Sequence, residues 1–199
     1  MEKIFNIEYY SKPQEHYNNP ETYSTNDLPH RWAIDNELKL VFNKINNPLK
    51  NVLDIGCSDG YTMLKLLKSF NVVDVSGVTF NKGEIDSAND KIKLRIKLGD
   101  MHSEGTFFGV NKFDLVWCRH VLEHSIAPYM LLNIMVQQLI VGGYLFIVLP
   151  PYPAGCEGDC HFSNLTDIQL YSLTKKLRLH LKEGFNFDSD RCFLFIKLG

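Results

Sequence analysis

Apolar residues recur at helical spacing from His30 to Ile45, in RWAIDNELKLVFNKI, and the Asn-Asn-Pro that follows stops the pattern. Beyond it, short apolar runs alternate with amphipathic stretches. Strands are predicted at 51–55, 71–78, 91–97, 113–118 and 144–150, and helices at 61–70, 82–90 and 128–140. A helix over 166–181 follows, then FNFDSD and RCFLFIKLG, two strand-like segments joined by a tight polar turn. Strands interleaved with helices predict an α/β fold with a doubly wound, mostly parallel sheet. Residues 1–30 are polar, rich in Tyr and Asn, and broken by Pro13, Pro20 and Pro29, so they read as an irregular arm.

Composition narrows this only a little. With 199 residues, 45% of them hydrophobic, the chain has material for one sizeable core and is read as a single domain, 1–199. A formal charge of −2, with acids and bases interspersed, argues against an extended nucleic-acid surface or a general grip on an anionic membrane. The odd set Cys57, Cys118, Cys156, Cys160 and Cys192 suits free thiols in a reducing compartment. MEKIFNIEYY lacks an apolar leader core, and LFIVLPP is too short to span a bilayer, so a cytoplasmic location and no membrane partner are expected.

Candidate chemistry begins at NVLDIGCSDGYTMLKLL, residues 51–67. Gly56 and Gly60 lie between a predicted buried strand and a helix, where glycine permits a tight turn and close approach of backbone N–H groups to a ligand. A dinucleotide site wants Gly-x-Gly-x-x-Gly and an acid about 20 residues on. Here the turn is Gly-Cys-Ser-Asp-Gly and the second strand ends in Val78-Thr79, which disfavours a nicotinamide cofactor.

These residues resemble the class I S-adenosylmethionine-dependent methyltransferases, of the methyltransferase type 11 kind. LDIGCSDG looks like the family's first motif, SGVTFNKGEIDSA its second, GDMHS its third, FDLVWCRHVLEH its fourth and LIVGGYLFIVLPP its fifth-strand motif. All five fall in family order across residues 51–151. The resemblance implies a Rossmann-like seven-stranded sheet whose last strand is antiparallel, with S-adenosylmethionine as cofactor and S-adenosylhomocysteine as product. It also implies that Asp54, Gly56, Cys57, Ser58 and Gly60 hold the methionine end and ribose, and that Asp100, Met101 and His102 take the adenine. Ser58 stands where a third glycine is common, and Thr79 where many members carry the ribose-binding acid. Thr79, Phe80, Asn81 and Glu84 are therefore assigned to the ribose side, and Arg119 and His120 complete the cofactor set.

RHVLEHS, residues 119–125, follows the fourth strand, at the sheet edge where open α/β folds bind ligands. If helical, it places His120 on one face with Glu123 or His124. With His161 after the fifth strand, His120 and His124 are candidate bases for a hydroxyl acceptor. Some relatives use a similar Glu-x-x-Glu-His for a divalent metal, but His120 replaces the first acid, and no metal is assigned. The loose CEGDCH spacing of Cys156, Cys160 and His161 gives no structural zinc site either.

The variable segments are expected to choose the acceptor. The arm carries Tyr9, Tyr10, Tyr17, Tyr23 and Trp32, and residues 1–45 are read as a lid over the cofactor. PPYPAGCEGDCHFSN after the fifth strand is a loop at the same edge. The resulting expectation is in-line methyl transfer to the O or N nucleophile of a small molecule, sugar or metabolite, by a monomer or a homodimer. Two alternatives stand beside it: metal-assisted methylation of a ribose or catechol-like hydroxyl, and a catalytically silent partner subunit that binds the cofactor.

Overall fold

The computed structural model describes residues 28–103, 108, 110, 112–152, 161–163 and 165–199. Tyr9, Tyr10, Tyr17, Tyr23, Cys156 and Cys160 lie outside them. Helix α1 spans Leu28–Lys44, strand β1 Asn51–Ile55, α2 Tyr61–Ser69, β2 Asp74–Thr79, α3 Lys82–Ser87, α4 Asp90–Lys93 and β3 Ile96–Leu98. Strand β4 (Phe113–Arg119), a 3-10 turn (Leu122–His124), α5 (Pro128–Gln138), β5 (Leu139–Leu149), α6 (Asp167–Lys176), β6 (Leu179–Phe187) and β7 (Asp190–Lys197) follow.

The strands form one seven-stranded sheet in the order β3-β2-β1-β4-β5-β7-β6. Strands β1 to β5 run parallel, and β7 is antiparallel to both β5 and β6, so the antiparallel last strand is as expected. Chain order reverses between β1 and β4, which opens a crevice at their carboxyl ends. One face of the sheet packs Leu131, Leu132 and Met135 of α5 and Leu170 of α6 against Leu53, Val116 and Ile147. The other packs Leu38 and Val41 of α1, Met63 and Leu66 of α2 and Ile92 of α4 against Val52, Leu115, Trp117 and Phe146. Two-sided burial explains why the central strands read as continuous apolar runs. Cys57, Cys118 and Cys192 are buried free thiols.

Three boundaries differ from the sequence pattern, each for a local reason. The start of the expected third strand is the short helix α4, because Asn89 caps it by accepting from the Lys91 N–H and Ile92 is drawn into the core. Helix α5 stops at Gln138, since Leu139 already pairs with Phe113 and begins an eleven-residue β5. Helix α6 stops at Lys176, because Arg178 turns left-handed (φ 58°) and Leu179–Leu181 join the sheet beside β7. A Thr166–Gln169 capping box starts α6.

The helical part of the expected lid is tied to the glycine turn. From α1, Arg31 pairs with Asp59 (3.2 Å) and stacks over the Tyr61 ring (4.7 Å). Asp35 accepts from the Tyr61 hydroxyl (3.1 Å) and from Lys65 (2.8 Å). Trp32 is exposed and lies against Phe187 at the β6–β7 hairpin.

Candidate functional site

The turn after β1 is held to the end of β2: the N–H groups of Gly56 and Cys57 both donate to the Val78 carbonyl, at 2.9 and 3.1 Å. Three of its residues are left-handed, Gly56 (φ 73°), Ser58 (φ 49°) and Gly60 (φ 79°). A Cβ on Gly56 would stand 2.2 Å from Val121 Cγ2, and one on Gly60 2.1 Å from Ile92 Cδ1. Backbone conformation and packing between neighbouring elements therefore demand both glycines before any ligand is considered.

Asp54 closes the floor of this turn. It is buried at the end of β1, and its Oδ2 has no hydrogen-bond partner among the described residues. Burial, reinforced by the nearby charge of Asp59, raises its pKa from 3.8 to about 8. The folded protein thus keeps a proton on Asp54 that the unfolded chain loses near pH 4, so this group's stabilisation fades as pH rises from about 4 to about 8. Asp54→Asn is expected to flatten that decline, with a melting-temperature gain over wild type that grows from pH 5 to pH 8. A gain that is constant across this range would overturn the assignment.

Opposite, the next helix places an acid at the end of β2. Glu84 of α3 reaches back to accept from the Ser58 hydroxyl (3.0 Å) and the Thr79 hydroxyl, and burial raises its pKa despite both bonds. Its carboxylate joins the glycine turn to the end of β2. Asn81 caps α3, its side-chain oxygen accepting from the Gly83 N–H (2.9 Å). Phe80 is partly exposed beside them. After β3, Asp100 Oδ1 accepts from the His102 N–H (2.8 Å) and pairs with His102 Nδ1 (3.1 Å), while His102 Nε2 meets Ser125 Oγ at 2.8 Å. This ties the β3 loop to the β4 loop across the crevice. Met101 packs on the core edge.

Beyond β4, two candidate residues are paired with acids of the chain. Arg119 is a ligand of protein acids: its Nε donates to both oxygens of the fully buried Glu37 of α1 (3.1 and 2.9 Å), and its Nη2 lies 3.5 Å from Asp190. Its side chain thereby ties the end of β4 to α1 and the β6–β7 hairpin. His120, left-handed at φ 51°, does not sit on a helix face. Its Nδ1 faces Glu123 (3.0 Å) and its Nε2 faces Asp190 (2.8 Å). Burial lowers its pKa, but the hydrogen bonds to Asp190 and Glu123 outweigh that and raise it to about 9. The two contacts favour the charged form of the ring and place a carboxylate at each nitrogen. This geometry suits a positioning group more than the base expected from the sequence.

His124 and His161 remain, and the fold brings them together. Their rings are 4.9 Å apart, edge to face. The 161–163 segment is bound to the β4 loop, with the Ser163 N–H donating to the Glu123 carbonyl (2.9 Å) and the Ser163 hydroxyl donating to that of Ser125. Glu37, Asp190 and Ser125 were not singled out from sequence. Glu37 left one trace: it shares the apolar stripe of α1 with Ala33 and Val41, where an acid is out of place.

The comparisons with known proteins agree with this geometry. Residues 53–147 match the model of a family described as a methyltransferase domain. The chain is 30% identical over 131 residues to the tRNA U34 carboxymethyltransferase of Nautilia profundicola, an alignment covering 63% of this chain and 43% of that protein. It therefore spans less than half the length of that curated relative. Among solved structures, it resembles a SAM-dependent methyltransferase from Archaeoglobus fulgidus (TM-score 0.70, 17% identity, 84% of this chain and 94% of the other). It also resembles a methyltransferase in complex with the Haloferax volcanii Trm112 methyltransferase activator (TM-score 0.69, 14% identity, 88% and 98%). At these identities the solved structures share the fold.

Proposed function

We propose that this chain, whose residues 53–147 match a methyltransferase domain family, is a class I S-adenosylmethionine-dependent methyltransferase that transfers a methyl group from S-adenosylmethionine to an O or N nucleophile of a small molecule, sugar or metabolite. The observation that carries the reading is the buried Asp54 Oδ2 with no partner at the foot of a left-handed glycine turn, on the carboxyl edge of β1. A buried acceptor of this kind calls for a donor that the described protein does not supply.

The residues present fit the cofactor. Asp54 and the 56–60 turn would hold its methionine end, Glu84 its ribose hydroxyls, and Asp100 with Met101 its adenine. Glu84 replaces the acid that β2 lacks, because Ser58 and Thr79 already hold its carboxylate at the mouth of the turn. When bound, the cofactor supplies an activated sulfonium methyl, so positioning is the main demand on the protein. Arg119 and His120 anchor α1 and the hairpin to the end of β4. Helix α1 would carry the lid formed by residues 1–45, within one domain over 1–199. His124 and His161 stand where the proton of a hydroxyl acceptor would be received. The likeness to a tRNA U34 carboxymethyltransferase adds nucleosides to the acceptors worth screening, and the likeness to an activator-bound methyltransferase adds a partner subunit to the assay. No helix among the described residues is long and apolar enough to cross a membrane.

Calorimetric titration with S-adenosylhomocysteine, with NAD as control, tests the cofactor. Wild type is expected to bind, with no heat from NAD. Glu84→Gln is expected to weaken binding by about tenfold, the worth of roughly one charge-assisted hydrogen bond, and Asp100→Ala to weaken it as well. Absence of binding to the wild-type protein would overturn the reading.

A further inference from the structure

Glu123 lies in the 3-10 turn after β4 and is completely buried, yet its Oε2 has no hydrogen-bond partner among the described residues. Its other oxygen is used by His120. One carboxylate oxygen of Glu123, a ring nitrogen of His124 and a ring nitrogen of His161 all lie within 4.8 Å of one another. Ligands about 2.0–2.2 Å from a common ion stand roughly 3–4.4 Å apart, so small side-chain adjustments close this set around one.

We infer that Glu123, His124 and His161 form a site for one divalent first-row transition ion. Two imidazoles and one carboxylate are a borderline set that suits zinc, cobalt, manganese or iron better than magnesium, which prefers an all-oxygen shell. Three protein ligands leave coordination positions open, as sites that act on substrates do. The surroundings are built to hold the ligands still. His120 donates to the Glu123 carboxylate and is itself anchored by Asp190, the second layer that orients a ligating carboxylate. Ser163 ties the strand-end loop bearing His161 to the backbone of Glu123 and Ser125.

The group of His120, Glu123 and His124 in RHVLEHS is thus divided. His120 is the support, and His161, distant in sequence, completes the ligand set. A metal-bound imidazole cannot also take a proton, so His124 and His161 become ligands instead of bases. As a statement about the reaction, this rests on the methyl-transfer reading. The acceptor would be a hydroxyl whose oxygen joins the ion as a further ligand and releases its proton to water.

The test uses the full chain, stripped of metal by chelator and dialysed, and titrated with cobalt(II) chloride while heat and visible absorption are recorded. One equivalent is expected to bind, with the d–d bands of a nitrogen and oxygen set. His124→Ala and His161→Ala, both at part-exposed positions that should fold, are each expected to weaken binding about 100-fold or more. Cys156→Ser/Cys160→Ser and His180→Ala are expected to bind as wild type. No binding by wild type, binding unaffected by both histidine variants, or a sulfur-to-cobalt charge-transfer band lost in the cysteine variant would each overturn the site. S-adenosylhomocysteine affinity is read on the same preparations. Cobalt binding without it counts against methyl transfer alone, and the converse counts against the metal alone.

Discussion

Replacing Arg119 by Met is expected to cost roughly 3–5 kcal/mol of folding stability, because it leaves the Glu37 carboxylate buried without its cation. For a chain of this size that corresponds to a melting temperature lower by on the order of 10 °C. Glu37 is 0% exposed and Arg119 11%, so solvent screens the pair little. Burial raises the Glu37 pKa, and Arg119 is the leading influence that lowers it. The double variant Glu37→Leu/Arg119→Met is expected to recover most of the loss, since an apolar pair of similar volume carries no desolvation penalty. Asp190 keeps His120 as partner in that background. Thermal melts of the three proteins decide the point, and a single variant within about 1 kcal/mol of wild type would sink it. The double variant should also bind S-adenosylhomocysteine as wild type does. A loss of affinity at full stability would place Arg119 in the cofactor site.

Gly60→Val is expected to abolish S-adenosylhomocysteine binding that calorimetry can detect. Two costs combine there. The left-handed backbone disfavours a side chain by about 1–2 kcal/mol, and the added Cβ would meet Ile92 Cδ1 at 2.1 Å, an overpacking worth roughly 1–3 kcal/mol. Ile92 belongs to the core under α2, so relief comes most readily by moving the turn that carries Asp54, Ser58 and the start of α2. Gly142→Ala isolates the first cost. It too is left-handed (φ 81°), but an added Cβ meets nothing within 4 Å. That control is expected to lose about 1 kcal/mol and to bind normally. Equal binding by Gly60→Val and wild type would show that the turn does not shape the pocket.

Much of this could be read along the chain. Alternating apolar runs and amphipathic stretches set the order of strands and helices, because burial on both faces of a parallel sheet imposes continuous apolar strands and one-sided helices. Gly56 and Gly60 were legible for a similar reason, since a strand leading at once into a helix needs left-handed residues between them. The antiparallel β7 was legible through the polar turn before it, in which Asp188 is left-handed.

Side-chain destinations were a different matter. Glu84 reaches the end of β2 only because α3 folds back over the turn, and nothing in GVTFNKGE states that its carboxylate meets Ser58, 26 residues earlier. His120 looked like a base by residue type. Its partner Asp190 is 70 positions away, and β7 delivers it to the end of β4. Glu37 and Arg119 are 82 positions apart and meet because α1 packs on the sheet face beside the central strands. His161 joins Glu123 and His124 through two hydrogen bonds of Ser163. Sequence alone determined the sheet, its winding and the glycine turn, since these follow from local period and backbone freedom. Tertiary structure decided which charges pair and which polar atoms stay orphaned, because protonation and hydrogen bonding depend on distances that the chain sets only when folded.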